Sequence, residues 1–389
     1  MQYKVLFKRC LLAIVVMFVV TSLQAQREMK TINDNWEFRK SIDESWESVN
    51  LPHTFNIDAY QQRNYYQGKG FYRRTLVLPE IVAERRYYMK IDAASKAANI
   101  RVNGKEVGSH VGGYTACIVD ITEYIRKENL IEITVDNGRK DITPISADFT
   151  FWGGVYRDVW LISTPKQHFN MSNMGSDGIF ISTPVVNEKR GVLKVKCEVT
   201  NDSHESSILE VRSAIYSPQG KLLQTIKQKQ KLKSGETYIF ENTSGAIESP
   251  DLWSPETPSL YLVKTTLVDP KSGKLLDEKN HKVGFRWFTF DGSKGFFLNG
   301  KSYKLRGLNR HQDQAPAGVA LDDEAHRRDI FLMKELGCNF IRISHFPQDD
   351  AILEMCDELG LLAWEEIPII NIVPNTPGYD DNCEYNLRE

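Results

Sequence analysis

Charge of one sign is scarce in this sequence: 49 Lys and Arg nearly cancel 51 Asp and Glu, leaving a formal net charge of −2. Without a basic excess there is no field to gather phosphates, so nucleic acid is not expected as a partner. Cysteine is sparse too. Cys10 lies near the N-terminus, and Cys117, Cys197, Cys338, Cys356 and Cys383 are far apart, odd in number and never in a CxxC spacing. They read as small buried hydrophobes, so neither a disulfide framework nor a metal site is expected, and no cofactor motif is present. Past the first 25 residues no apolar run is long enough to cross a bilayer, which excludes a membrane partner once the leader is removed.

The leader itself is well marked. Lys4, Lys8 and Arg9 precede an apolar run from Cys10 to Val20, and Ala25 offers a small residue at a cleavage point. Residues 1–26 are therefore expected to be a signal peptide, and the mature chain to be secreted or periplasmic. With 41% hydrophobic and 26% charged residues in 389, the remainder is globular material for two to four domains.

Three regions follow. Residues 27–165 read as all-β: the runs Phe71 to Leu78, Tyr87 to Ile91, Ile100 to Val102 and Leu130 to Val135 are separated by turn signals. Asn103-Gly104 predicts a tight hairpin, because both positions accept positive φ. Aromatics are dense here, among them Trp36, Tyr65, Tyr66, Tyr72, Trp152 and Trp160, and a sandwich core accounts for most of them. Residues 166–286 read as a second β-rich block of immunoglobulin-like size, with runs at Val192 to Val199, Leu209 to Tyr216 and Leu260 to Val268.

From residue 287 the period changes. Ile352, Met355, Cys356 and Leu359 form one apolar helical face closed by Gly360, and Ile330, Met333 and Leu336 mark an earlier helix ending at Gly337. Each helix ends in Glu-Leu-Gly and is followed at once by an apolar strand, so one β/α unit is stated twice. Three strand ends deliver polar side chains: Asn309-Arg310-His311, Ser344-His345 and Glu365-Glu366. In a parallel β/α barrel the active face lies at those ends. Glu365 and Glu366 cannot both act at one centre, since adjacent strand residues point to opposite faces. One of them is expected to support the substrate, and neither to carry the chemical step.

The motifs now in view carry a resemblance. Trp152-Gly153-Gly154-Val155-Tyr156-Arg157-Asp158-Val159-Trp160, Phe297-Leu298-Asn299-Gly300-Lys301, Leu305-Arg306-Gly307-Leu308-Asn309-Arg310-His311 and Arg342-Ile343-Ser344-His345-Phe346-Pro347 resemble glycoside hydrolase family 2, nearest to its β-galactosidases. The resemblance implies a multidomain fold: a jelly-roll β-sandwich of sugar-binding type at 27–165, an immunoglobulin-like β-sandwich at 166–286, and a truncated (β/α)8 TIM barrel at 287–389. It also implies retaining hydrolysis of O-glycosyl bonds, with a carbohydrate of the β-galactoside type as substrate. His345 resembles the histidine that contacts sugar hydroxyls, and Asp148 the aspartate lent by the first sandwich. Arg310 and Glu366 complete the expected substrate-binding set.

The family's acid/base is a Glu of an Asn-Glu pair on strand four, and its nucleophile a Glu on strand seven. The one Asn-Glu pair here, Asn187-Glu188, lies in the second block, and residues 287–389 amount to about three strands of an eight-stranded barrel. No catalytic residue is therefore assigned, and the chain is expected to be inactive alone. Three alternatives stay open: a non-catalytic carbohydrate-binding protein, a β-glucuronidase-like or β-mannosidase-like member of the family, and an oligomer or a complementing barrel fragment that restores activity.

Overall fold

A computed structural model describes residues 26–389. The expected leader falls almost wholly outside them. No helix among the described residues is long and apolar enough to span a membrane.

The first body is two antiparallel sheets face to face. One has six strands, in the order Glu47–Val49, Trp36–Arg39, Lys69–Val77, Glu128–Asp136, Ala97–Val102 and Lys105–Val111; the other has four, Glu28–Thr31, Val159–Pro165, Arg85–Ile91 and Cys117–Asp120. Alternation does the sorting. In Glu128–Asp136 the residues Ile131, Ile133 and Val135 are fully buried while their neighbours are not, and they meet Met89, Ile91 and Val159 from the opposite sheet. Asn103 (φ 52°) and Gly104 (φ 77°) make the predicted hairpin between Ala97–Val102 and Lys105–Val111. The Trp-Gly-Gly motif is fixed by sterics: Gly154 sits at φ 144°, and a Cβ there would lie 2.1 Å from the His53 carbonyl oxygen.

The second body is a five-stranded and a four-stranded sheet enclosing Phe169, Val195, Phe240, Val263 and Phe285. A buried ion pair ties it to the first: Arg27 Nη2 lies 2.7 Å from Asp277 Oδ2, with side chains 4% and 0% exposed. Phe169 N also donates to that carboxylate at 2.9 Å, and Glu278 N to its other oxygen at 2.9 Å.

Beyond a three-stranded antiparallel ribbon at 288–302 come three parallel strands, β1 (Gly307–Arg310), β2 (Phe340–Ile343) and β3 (Leu362–Glu365), in that order. Helices α1 (Asp323–Glu335) and α2 (Asp350–Leu359) pack on one side. Asp322 caps α1 by accepting from Ala325 N, Asp349 caps α2 by accepting from Ala351 N, and Gly360 closes α2 at φ 77°. Each aspartate cap contributes about 1 kcal/mol. Ile330, Ile341, Ile343, Ile352 and Cys356 form the core between strands and helices. Leu336, expected on the apolar face of α1, is 74% exposed, because its helix ends one residue earlier.

Helix α3 spans Pro377–Arg388, and Pro377 occupies a first-turn position where its missing N–H costs nothing. It rests on the first sandwich rather than on the strands. Asn382 Oδ1 accepts from Thr143 N at 3.1 Å, and the Glu389 carboxylate meets His110 Nε2 at 2.7 Å and Thr115 Oγ1 at 2.5 Å.

Candidate sugar-binding rim

The register of the three strands decides which side chains reach the rim. Asn309, Arg342 and Trp364 stand side by side across β1, β2 and β3, as do Arg310, Ile343 and Glu365. Ile343 belongs to the core beneath the helices, so the second row faces the helices and the first faces away from them. Continuing the alternation brings His311 and Glu366 to the side of Arg342.

Glu366 is the centre of this rim. Arg342 donates from Nε to Oε1 at 2.6 Å and from Nη2 to Oε2 at 3.1 Å, and His345 Nδ1 lies 3.0 Å from Oε2. Burial pushes the Glu366 carboxyl up, but hydrogen bonds from Arg342 and His345 outweigh it and hold the group below its usual range. Arg342 Nη2 also lies 3.2 Å from the same Nδ1, so the guanidinium, the carboxylate and the imidazole form one cluster held at Nδ1. A fork-to-fork guanidinium pair of this kind also fixes the angle of the imidazole.

The first sandwich closes over the same histidine. The Phe149 ring lies nearly parallel to His345, 6.1 Å away at 19°, and edge-on to Phe346 at 5.3 Å. Phe346 stacks on Tyr114 at 4.0 Å and 21°. Arg157 donates from Nη1 to Tyr114 O and from Nη2 to Pro347 O, both at 2.9 Å. His311 adds a ring 5.4 Å from His345, at 68°. Asp148, beside Phe149, is exposed and has no polar partner among the described residues. Aromatic faces beside polar side chains form a surface suited to a polar ring with an apolar face.

Three sequence models of one family cover nearly all of this chain: glycosyl hydrolases family 2, sugar binding domain, at residues 13–165; glycosyl hydrolases family 2 at 177–286; and glycosyl hydrolases family 2, TIM barrel domain, at 291–386. This chain belongs to glycosyl hydrolase family 2. Among solved structures, a β-glucuronidase of Bacteroides uniformis superposes with TM-score 0.91 at 57% identity, over 93% of this chain and 44% of that one. A β-glucuronidase of Bacteroides fragilis is 34% identical over 358 residues, 90% of this chain and 51% of its own. A β-galactosidase of Thermoanaerobacter pseudethanolicus is 33% identical over 348 residues, 87% of this chain and 44% of its own. The chain thus spans about half the length of the relatives it matches.

Within the family 2 frame the structure brings Glu366, His345 and the Asp148 loop together, and moves Arg310 out. Arg310 is 3% exposed, on the helix side of β1, ion-paired to Asp329 at 2.7 Å and donating to Gln348 at 2.6 Å. The alternation that separates Glu365 from Glu366 separates Arg310 from its neighbours too, and it marks Asn309 and His311 as the rim positions of β1. Glu365 lies with Lys90, Arg157, Asp349 and Asp350 in a cleft of 760 Å³ between the first sandwich and α2, whose lining Glu366 reaches as well. Phe149, Tyr114 and Arg157 went unassigned because their part in the rim depends on a contact between two bodies that no local pattern shows.

Proposed function

We propose that this chain supplies the sugar-holding part of a retaining β-glycosidase, with β-glucuronides as its first substrate class and β-galactosides second. The observation that carries the reading is the convergence of Phe149 from the first sandwich and His345 from the barrel over the Arg342–Glu366 pair. The order of substrates follows the names and identities of the relatives, with the β-glucuronidase at 57% and the β-galactosidase at 33%. In this reading Asp148 and His345 contact sugar hydroxyls, and Phe149 and His311 bound the ring.

Retention needs two carboxylates about 5 to 5.5 Å apart across the scissile bond. Glu366 is committed to Arg342 and His345, so it orients the imidazole and does not attack. The proton donor and nucleophile belong to further barrel strands, in this or another polypeptide, which would also cover the open edges of β1 and β3 where Leu308 and Trp364 are 47% and 56% exposed. A secreted or periplasmic location accords with the N-terminal sequence.

The test uses residues 26–389, with aryl β-glucuronides and β-galactosides as substrates and calorimetry against glucuronate and galactose. No turnover is expected, while glucuronate binds in the millimolar range or tighter and His345→Ala or Asp148→Ala weakens it about tenfold. Turnover abolished by His345→Ala would refute the division of labour, and flat titrations with both sugars would refute the rim as a sugar site.

A further inference from the structure

The loop from residue 137 to residue 151 brings Phe149, the neighbour of Asp148 in sequence, to the rim, and it has no helix or strand of its own. Its two ends are held by neutral groups. Asn137 and Asn56 donate to the Phe151 carbonyl at 2.7 and 3.0 Å, and Phe151 N donates to Tyr65 Oη at 2.8 Å. Thr143, near its middle, is held from the barrel side by Asn382, Tyr379 and the Pro368 carbonyl.

One charged group lies under the loop. Lys96 is 2% exposed; its Nζ donates to the Pro144 carbonyl at 2.5 Å and to the Arg139 carbonyl at 3.2 Å, and stands 4.4 Å from the centre of the Phe151 ring. Those contacts touch the loop at three places, two of them flanking Asp148 and Phe149 in sequence. An ammonium has three donors in tetrahedral array, so two carbonyls and a ring face can be served at once. A buried ammonium is otherwise costly, and among the described residues no carboxylate lies within ion-pair distance of this one. Burial, with Lys140 nearby, lowers it to about 8, while Asp141 and Asp136 oppose the shift; it is still charged at neutral pH. A plain core position would hold a leucine more cheaply. The expense makes sense where an irregular segment must be held in one shape.

We infer that Lys96 is a positioning residue for the glycoside site: its ammonium pins the 137–151 loop so that Phe149 lies on His345. The link to sugar rests on the glycoside reading above; the link from Lys96 to His345 does not, and it is measured without any sugar.

The experiment compares the full chain with Lys96→Met, which keeps the length of the stem and removes charge and donors. Two signals are read: amide exchange across residues 139–151, and the ring resonances of His345, which the face of Phe149 displaces. Exchange in the loop should speed up about ten- to a hundredfold, while Lys69–Val77 and Glu128–Asp136 keep their protection. The His345 resonances should move toward their values in a Phe149→Ala chain. Unchanged exchange in a folded Lys96→Met chain overturns the inference. Faster exchange with unmoved His345 resonances also overturns it, since Lys96 would then be structural only. If Lys96→Met does not fold, Phe151→Leu removes the ring beneath the ammonium; the same two changes are expected in smaller measure, and their absence is equally decisive. Failure of the glycoside reading would show instead as absent sugar binding with both signals present.

Discussion

The contact between Phe346 and Tyr114 is where the first sandwich grips the segment that bears His345, and Phe346→Leu tests how much that grip is worth. Phe346 is 5% exposed, stacked on Tyr114 at 4.0 Å and edge-on to Phe149 at 5.3 Å. Each well-placed aromatic pair adds about 0.5–1.5 kcal/mol beyond the area it buries. Leucine keeps most of the apolar area and loses both pairs, so the loss is about 1–3 kcal/mol. A chain of several bodies does not unfold in one step, so a global midpoint is the wrong reading. Native-state amide exchange at residues 344–348 reports the local opening instead, and it should accelerate roughly five- to 150-fold. Tyr114→Leu loses one of the two pairs, about 0.5–1.5 kcal/mol, and should accelerate it roughly two- to thirteenfold. The double variant decides whether the rings act on each other: stacking predicts a coupling of about 0.5–1.5 kcal/mol between the two changes. Additive effects within about 0.3–0.5 kcal/mol would refute the stack as the link between the bodies.

Arg27→Met leaves Asp277 buried with only its two backbone donors, so it should destabilise the junction between the sandwiches by about 3 kcal/mol, whereas Arg27→Met with Asp277→Asn should recover most of that; calorimetry on the native chain and the two variants would show it. Glu366 is held below its ordinary carboxylate range, so its ion pairs stabilise the fold above that ordinary value and stop doing so as pH falls through the lowered one. The stability difference between the native chain and Glu366→Gln should therefore be constant at neutral pH and vanish in acid, and Arg342→Met should move the loss to higher pH. A difference independent of pH down to strong acid would contradict the assignment.

Local signals in the sequence were dependable where one rule governed. Asn103-Gly104 needed nothing beyond its turn chemistry, and Gly360 ended its helix because only a left-handed residue continues the chain there. Alternation placed Glu365 and Glu366 on opposite faces; applied to Asn309-Arg310-His311, it would have sent Arg310 to the helices as well. The start of α3 is not legible locally, because Pro377-Gly378 reads as a break in isolation and as a helix start once the first sandwich offers a seat. Lys96, Tyr114 and Phe149 carry no pattern at all. Their partners stand far off along the chain, and Phe149 and Phe346 meet across nearly two hundred residues.

The seat of α3 sets an order of events during synthesis. His110 and Glu389, which meet at 2.7 Å, are 279 residues apart, and Thr143 waits 239 residues for Asn382. Domains form from the N-terminus as the chain emerges at about 5–20 residues per second, so the first sandwich stands finished for on the order of tens of seconds before its last contact exists. During that interval His110 and Thr115 face solvent, and the sandwich is a template held ready for a helix not yet made. Substitutions at His110 should then leave the birth of the sandwich untouched and delay only the docking of the helix.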